Sequence, residues 1–380
     1  MNLAISIIRN EPYLKNNNKI LYISGDGIWN SGQNKIYHKH FSIHTTKNYF
    51  ISRELKLIVS HCEVINFSWW FGHPRLIKKL EAFGIRGTTR IKSIIMHIIN
   101  FIAKSIIYSK IKMGFYDLIV LCDNLFFIDE AILNKIKRLN TSKIVLLSNV
   151  SPKYLLTQFE RECIPYYDTI FISDLGHEME WKDLGAQRVI RLPISAGAPN
   201  TYQKIIGKVG DNKIYDVVFI GSLYGLDSYK LEILDFLISK GVDINIWTSE
   251  FRENFINDFP RVKSRIKGSA HGEKMIKILA QSKIALNIHI LTQPWGGNLR
   301  LFEIPSAKTF QIVDKCPSDW FIDGHEIVLF KNKNDLLSKI NYYLNNDHER
   351  IRICNNGFKR LVKEHTYEHR VKKLLNTLHR

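Results

Sequence analysis

Cysteine is scarce and unordered in this sequence. Five residues, Cys62, Cys122, Cys163, Cys316 and Cys354, are spread over 380 positions with no CxxC or other close pair. That excludes a disulfide framework and a thiolate zinc site, and it fits a reducing compartment. Long apolar runs are also missing. The richest, IKSIIMHIINFIAKSIIYSKIKMGF from Ile91, is broken by Lys92, His97, Asn100, Lys104 and Lys110. A spanning helix needs ~20 residues with few charges, so this stretch reads as an amphipathic helix. The opening MNLAISIIRNEPYLKNNNKILYISG has neither a basic n-region nor a small-residue cleavage site, and no signal peptide is expected. There is no GxGxxG, no Walker lysine and no Asp-x-Asp, which removes the usual NAD and P-loop fingerprints. No run of five basic residues and no nucleic-acid motif occurs, so nucleic acid is not expected as a partner. No solenoid-type repeat is visible.

What is present describes a soluble, folded, two-domain chain. Hydrophobic residues make up 45% and charged residues 24%, ordinary values for a globular protein, and the length suits two cores. Basic residues outnumber acidic ones, 54 to 36, for a net charge of +18. This is either a lysine-rich solvated surface or an attraction to phosphates, on a nucleotide or an anionic leaflet. The basic amphipathic helix over 91–112 is a candidate for peripheral contact with such a leaflet.

Strand-like and helix-like segments alternate almost throughout. KILYISGDG, CEVINFSWWFG, FYDLIVLCDN, SKIVLLSNV and YDTIFISD are short apolar runs. PRLIKKLEAFG, AILNKIKRL and GHEMEWKDLG read as helices between them. Such alternation predicts an α/β architecture with parallel sheets. The polar, glycine-bearing stretch over 196–213 has weak periodicity and is expected to be a linker. The alternation then restarts with YDVVFIGSLYG, SYKLEILDFLISKG, VDINIWT, HGEKMIKILAQS and KIALNIHI. The boundaries expected are a first domain over 1–195, the linker, a second domain over 214–362, and a C-terminal helix over 363–380 that packs back on the first domain.

In parallel sheets, ligands sit at loops beyond the carboxyl ends of strands. Two such loops stand out in the second half. In FIGSLYGLDSYK, Gly221 permits close backbone approach, Ser222 can donate to a phosphate oxygen, and Lys230 can reach one. A tight strand-to-helix turn explains the glycine equally well. In PWGGNLRLFEIP, Gly296, Gly297 and Asn298 precede a short helix whose free N–H groups suit a diphosphate. Arg300 offers two parallel donors. Glu303, one turn on along the same face, can accept from ribose hydroxyls. An asparagine cap with a surface ion pair at Arg300 accounts for the same residues without a ligand.

Taken together, DVVFIGS, HGEKMIKILAQSKIALNIH, GGNLRLFEIPSAKTFQIVD, DWFIDGHEIVLFKNKNDLLSKINYYL and HTYEHR resemble the C-terminal domain of GT-B glycosyltransferases, in particular the CgeB-like, group 1 type related to glycosyltransferase family 4. YDTIFISDLGHEMEWKDLGAQRVIRLPISAGAP resembles that group's last N-domain strands, so the likeness covers roughly residues 165–375. The resemblance implies two Rossmann-like domains facing each other across a cleft, the C-terminal one binding a nucleotide-sugar donor and the N-terminal one an acceptor. It assigns Glu303 to the donor ribose, Arg300, Asn298 and Gly297 to the loop at the diphosphate, and Gly221 and Ser222 to the first donor loop. Many family 4 enzymes carry a second glutamate eight residues before the first; here Trp295 stands there.

The first half resembles the family less closely. YISGDGIWNSG looks like the glycine-rich first loop of a GT-B N-domain, and Asp26 there is a candidate catalytic base or a turn aspartate. His73, in FGHPR, is a second candidate base or a structural cap. His38, His40 and His44 lack an acidic partner at ligand spacing. No metal and no cofactor is expected beyond the nucleotide-sugar co-substrate, for which a UDP-sugar is the first choice. The expected activity is transfer of a sugar to an acceptor hydroxyl on a saccharide or lipid-linked glycan in bacterial surface polysaccharide synthesis, in the cytoplasm or at the inner face of the plasma membrane. The alternatives are a nucleotide-sugar epimerase or hydrolase on the same fold, or a degenerate nucleotide-binding module.

Overall fold

The computed structural model describes residues 16–24, 47–66, 89–122, 128–139, 142–209, 212–223, 228–248, 256–290 and 292–378. Within them the chain builds two sheets, every strand pair parallel. The first contains β1 (Asn16–Ser24), β2 (Val59–Asn66), β3 (Leu118–Cys122), β4 (Lys143–Ser148), β5 (Thr169–Ile172) and β6 (Val189–Arg191), in the order β2-β1-β3-β4-β5-β6. The second contains β7 (Tyr215–Ile220), β8 (Ile244–Trp247), β9 (Ser282–Asn287), β10 (Phe310–Val313) and β11 (Val328–Leu329), in the order β11-β10-β9-β7-β8. β3 is buried at all five positions, because helices cover both faces of a parallel sheet.

Among the helices that matter below, α1 is Lys47–Ile58, α2 Thr89–Gly114, α3 Glu130–Leu139 and α4 Glu178–Asp183. The α2 helix buries Ala103, Ile107 and Ile111 at a spacing of four, one side of a helix. Among the described residues, no helix is long and apolar enough to cross a membrane.

The stretch between the sheets, expected to be a linker, has regular structure of its own. It carries α5 (Pro199–Ile206). Proline fixes the first helical turn where its missing N–H costs nothing, and Pro199 and Tyr202 are buried. Gln203 Nε2 donates to Ser306 O at 3.0 Å, tying α5 to the second sheet's layer. In that layer α6 is Tyr229–Ser239, α7 Gly272–Ala280, α8 Arg300–Ser306, α9 Lys333–Asn345 and α10 Asp347–Glu364.

The last helix, α11 (Tyr367–Leu378), returns to the first sheet's layer. Tyr367 stacks on Phe50 of α1 with ring centroids 5.0 Å apart, and Lys143 Nζ donates to Leu378 O at 2.8 Å. Val371, Leu374, Leu375 and Leu378 join Phe50, Ile51 and Leu55 in one apolar cluster that runs through both halves.

His365, at the turn between α10 and α11, is held neutral by its neighbours. Its Nε2 lies 2.8 Å from Trp320 O and its Nδ1 lies 3.1 Å from Arg370 Nη2. A carbonyl can only accept and a guanidinium can only donate, so the ring carries its hydrogen on Nε2 alone. Burial first, and the Arg370 charge second, push its pKa from 6.5 down to about 3. The unfolded chain therefore takes a proton that the folded one refuses. The stability this contributes is complete above pH 6.5 and is lost as pH falls through the window toward 3. Between pH 7 and pH 5 the loss is about 2 kcal/mol. Urea midpoints at the two pH values, compared with those of His365→Gln, test this: the variant is expected to lose that component of the pH dependence.

Candidate functional site

The β9–α8 loop is locked by its glycines and by one histidine. Gly296 and Gly297 have φ of +90° and +113°, a region that residues with side chains avoid. A Cβ on Gly297 would lie 3.0 Å from the Trp320 ring, and one on Gly296 would lie 3.0 Å from Lys315 O. His289, fully buried, binds Asp314 Oδ1 through Nδ1 at 2.7 Å. Its Nε2 accepts the N–H groups of Gly297 and Asn298 at 3.2 and 3.4 Å. The carboxylate thus fixes the tautomer that leaves Nε2 free to accept.

Asn298 acts through its side chain as a cap. Its Oδ1 accepts from Leu301 N at 3.0 Å, and its Nδ2 donates to Asn287 Oδ1 at 2.6 Å. Asn287 Nδ2 in turn donates to Asn298 Oδ1 and to Gln311 Oε1, both at 3.1 Å. This amide ladder anchors the start of α8 to β9 and β10. Asn298 therefore positions the loop, and its amide is not free for a ligand. The N–H groups of Leu299 and Arg300, next in the chain, have no acceptor among the described residues.

Arg300 and Glu303 meet as the one-turn spacing predicts. Arg300 Nη1 donates to Glu303 Oε2 and also touches the Met275 sulfur on α7. Arg300 Nε donates to Ile220 O, the last residue of β7, at 2.9 Å. The guanidinium is thus partly spent on the protein itself, as the alternative of a capped helix with an Arg300 ion pair expects; the bond to Ile220 O is the part that sequence does not show. Glu303 is 9% exposed and lies against Tyr202, whose phenol pKa burial and the nearby carboxylate push well above its usual value. That neighbour, contributed by α5, was invisible from sequence.

The first loop lies at the end of the adjacent strand. Gly221 N donates to Trp247 O at 3.0 Å, and Lys230 Nζ donates to Ser222 O at 3.1 Å. Lys230 braces the loop in this arrangement, where the sequence suggested a lysine reaching out to phosphate. Residue Arg300, through Ile220 O, brings the two loops together.

Loop residues 292–297 also dock on the first domain. Asp174, just beyond β5, accepts from Trp295 N at 3.0 Å and from Gly176 N at 2.8 Å. His177 Nε2 lies 2.7 Å from Thr292 O. A Cβ at Gly176 would come within 2.3 Å of Pro294. The Trp295 side chain is left 53% exposed. Asp174 and His177 were missed as site residues. Their only signal was position, immediately after an apolar strand.

Asp26 and His73, the candidate bases, and His38, His40 and His44 lie outside the described residues. Asp129, near α3, accepts from Ile132 N at 3.0 Å and pairs with Lys104, so it serves as a helix cap. Among the described residues, no three His, Cys, Asp or Glu side chains are grouped to hold a metal ion.

Residues 231–376 match the family described as glycosyl transferase-like. No curated protein matches the chain. Solved structures share its architecture at low identity. A glycosyltransferase from Rickettsia africae ESF-5 is 11% identical, with a TM-score of 0.59 over 95% of this chain and 98% of that one. Anabaena Alr3699/HepE, solved with UDP and glucose, is 12% identical, with a TM-score of 0.58 over 95% and 99%. The Escherichia coli structure described as trehalose-6-phosphate bound with UDP-2-fluoro glucose is 10% identical, with a TM-score of 0.60 over 95% and 99%. With the two parallel sheets, these likenesses show that the chain has the GT-B fold, two Rossmann-like domains facing each other across a cleft, and residues 231–376 are similar to the glycosyl transferase-like family.

Proposed function

We propose that the protein transfers a sugar from a UDP-sugar to an acceptor hydroxyl, using the β9–α8 loop to hold the donor. The observation that carries this is the Arg300–Glu303 pair beside the free N–H groups of Leu299 and Arg300, where two strand-end loops converge. Glu303 accepts from the ribose hydroxyls. The free N–H groups and the remaining guanidinium edge face the diphosphate, whose negative charge grows as its oxygen leaves the anomeric carbon. The acceptor oxygen forms the new bond to that carbon, its proton passes to a base on the first domain, and UDP departs. Asp26 and His73 are the candidates for that base. No metal is required of this scheme. Solved relatives of the same fold hold UDP, UDP-glucose or UDP-2-fluoro glucose, which supports the donor class.

The acceptor we assign is a saccharide or lipid-linked glycan of the bacterial surface, met at the inner face of the plasma membrane. The exposed Phe101, Met113 and Phe115, at and just beyond the C-terminal half of α2, support a peripheral contact, as does the net charge of +18.

A thermal-shift panel of UDP-, GDP-, ADP-, dTDP- and CMP-sugars tests the donor. At a hundredfold excess over Kd, the bound sugar nucleotide is expected to raise Tm by about 3 °C, and UDP-sugars should do so best. No shift with any member would contradict the assignment. Free sugar or an epimer formed without acceptor would replace transfer with hydrolysis or epimerisation.

A further inference from the structure

A cavity of about 400 Å³ opens where the two domains are joined. It shares Trp320 with the glycine loop but includes none of the residues assigned to the donor. Its walls come from three places: Arg191 and Pro193 at the exit of β6, Asp319 and Trp320 after β10, and the α10–α11 junction.

Positive charge in this cavity exceeds the carboxylates able to answer it. Of the two acids that line it, Asp319 is taken by Arg191, at 2.8 Å, and Glu364 by Arg360 and Lys363, at 3.0 and 3.3 Å. Arg191 also lies over the Trp320 ring, 4.8 Å from its centroid. Among the described residues, Arg370 donates to uncharged groups, Ser195 O, the Glu364 backbone O and His365 Nδ1. Lys373, one helical turn further on the same side of α11, has no partner among the described residues. His369 binds Thr366 Oγ1 through Nδ1 at 2.7 Å, and its Nε2 has no partner among the described residues. Partial covering of its stem by the cavity wall, and then the Arg370 and Arg191 charges, lower the pKa of Lys373, whose end reaches solvent, and burial with the Arg191 charge lowers that of Arg370 to about 10. A fold that collects cations in a concave site without acids to match is stabilised when an anion enters.

We infer that this cavity is a second binding site, for a phosphate group, held by Lys373 and His369 at its mouth with Arg370 and Arg191 behind. Phosphate presents several strong acceptor oxygens to a cluster of N–H donors. The volume exceeds what inorganic phosphate fills, so the occupant is a phosphorylated small molecule or a phospholipid headgroup. Because the walls belong to both domains, the occupant ties one to the other.

The test uses the full chain and does not depend on the donor assignment. Calorimetric titration with inorganic phosphate, at an ionic strength held constant with chloride, measures the site directly. Wild type and Glu303→Gln, altered in the donor loop, are expected to bind with the same affinity. Lys373→Glu, at an exposed position that spares the core, is expected to bind at least about tenfold more weakly. His369→Ala should weaken binding in the same direction. Flotation with phosphatidylcholine vesicles containing phosphatidylglycerol separates the sources. Lys373-dependent flotation identifies a lipid headgroup, and phosphate binding without flotation identifies a soluble phosphorylated compound. Phosphate binding that is absent, or that Lys373→Glu leaves unchanged, overturns the site. Failure of UDP-sugars to bind would sink the donor proposal and leave this one standing.

Discussion

Glu303→Gln is expected to lower kcat/KM for the UDP-sugar by about a hundredfold, with the fold intact. The substitution keeps the shape of the side chain and removes its charge. A carboxylate can accept from two ribose hydroxyls at once, whereas an amide presents one acceptor and two donors. Charged hydrogen bonds contribute about 1.5–3 kcal/mol each, so losing one and weakening another reaches this magnitude. The variant also leaves Arg300 without its counter-charge. Initial rates over a range of donor concentrations, with a circular dichroism melt as control, measure the effect. Unchanged turnover in a folded Glu303→Gln protein would refute the role of this residue.

Phe302→Ala is expected to destabilise the protein by about 3–5 kcal/mol. Phe302, on α8, is fully buried. Its ring packs against Trp320 at 5.5 Å, Phe321 at 6.0 Å and His365 at 5.6 Å, and Arg370 lies over it at 5.2 Å. These neighbours come from the loop after β10, from the α10–α11 turn and from α11, elements that hold each other in place. Truncation opens a void that they cannot easily fill, and α8 loses the packing that presents Arg300 and Glu303. Urea unfolding monitored by tryptophan fluorescence measures the cost. A loss below about 1 kcal/mol, closer to that of a surface change, would show that α8 is held by something other than this packing.

The strands were the most legible part of the sequence. LIVLC and KIVLLS are continuous apolar runs because both faces of a parallel sheet are covered, and both runs form strands. The α8 helix announced itself through the glycines before it and the strand after it. Within the apolar-ended stretch DGHEIVLF only Val328–Leu329 form a strand. Asp323 and Gly324 turn the chain there, with Gly324 N bonded to Ile327 O at 2.8 Å and Asp323 Oδ1 accepting from Leu329 N at 2.8 Å.

The candidate site was legible in its pair and illegible in its supports. Spacing alone brings Arg300 and Glu303 onto one side of a helix turn. It does not reveal what else competes for their donors and acceptors. Ile220 O takes one edge of Arg300, Asn287 takes the amide of Asn298, and Ser222 O takes Lys230. His289 and Asp314 are 25 positions apart and Asp174 and Trp295 are 121 apart, so only the folded chain shows that they meet. One clue was present: Asn287 and His289 are polar residues two apart at the end of an apolar strand, which puts them on one side of the sheet. Polar groups so buried need partners, and here the partners fix the loop that we assign to the donor.

The most direct test of the transferase assignment is UDP release from UDP-sugars with and without a panel of saccharide and lipid-linked acceptors. The account predicts release that depends on acceptor, matched by an equal amount of glycosylated product. Acceptor-independent release of UDP with free sugar, or no consumption of any nucleotide sugar by folded protein, would contradict it.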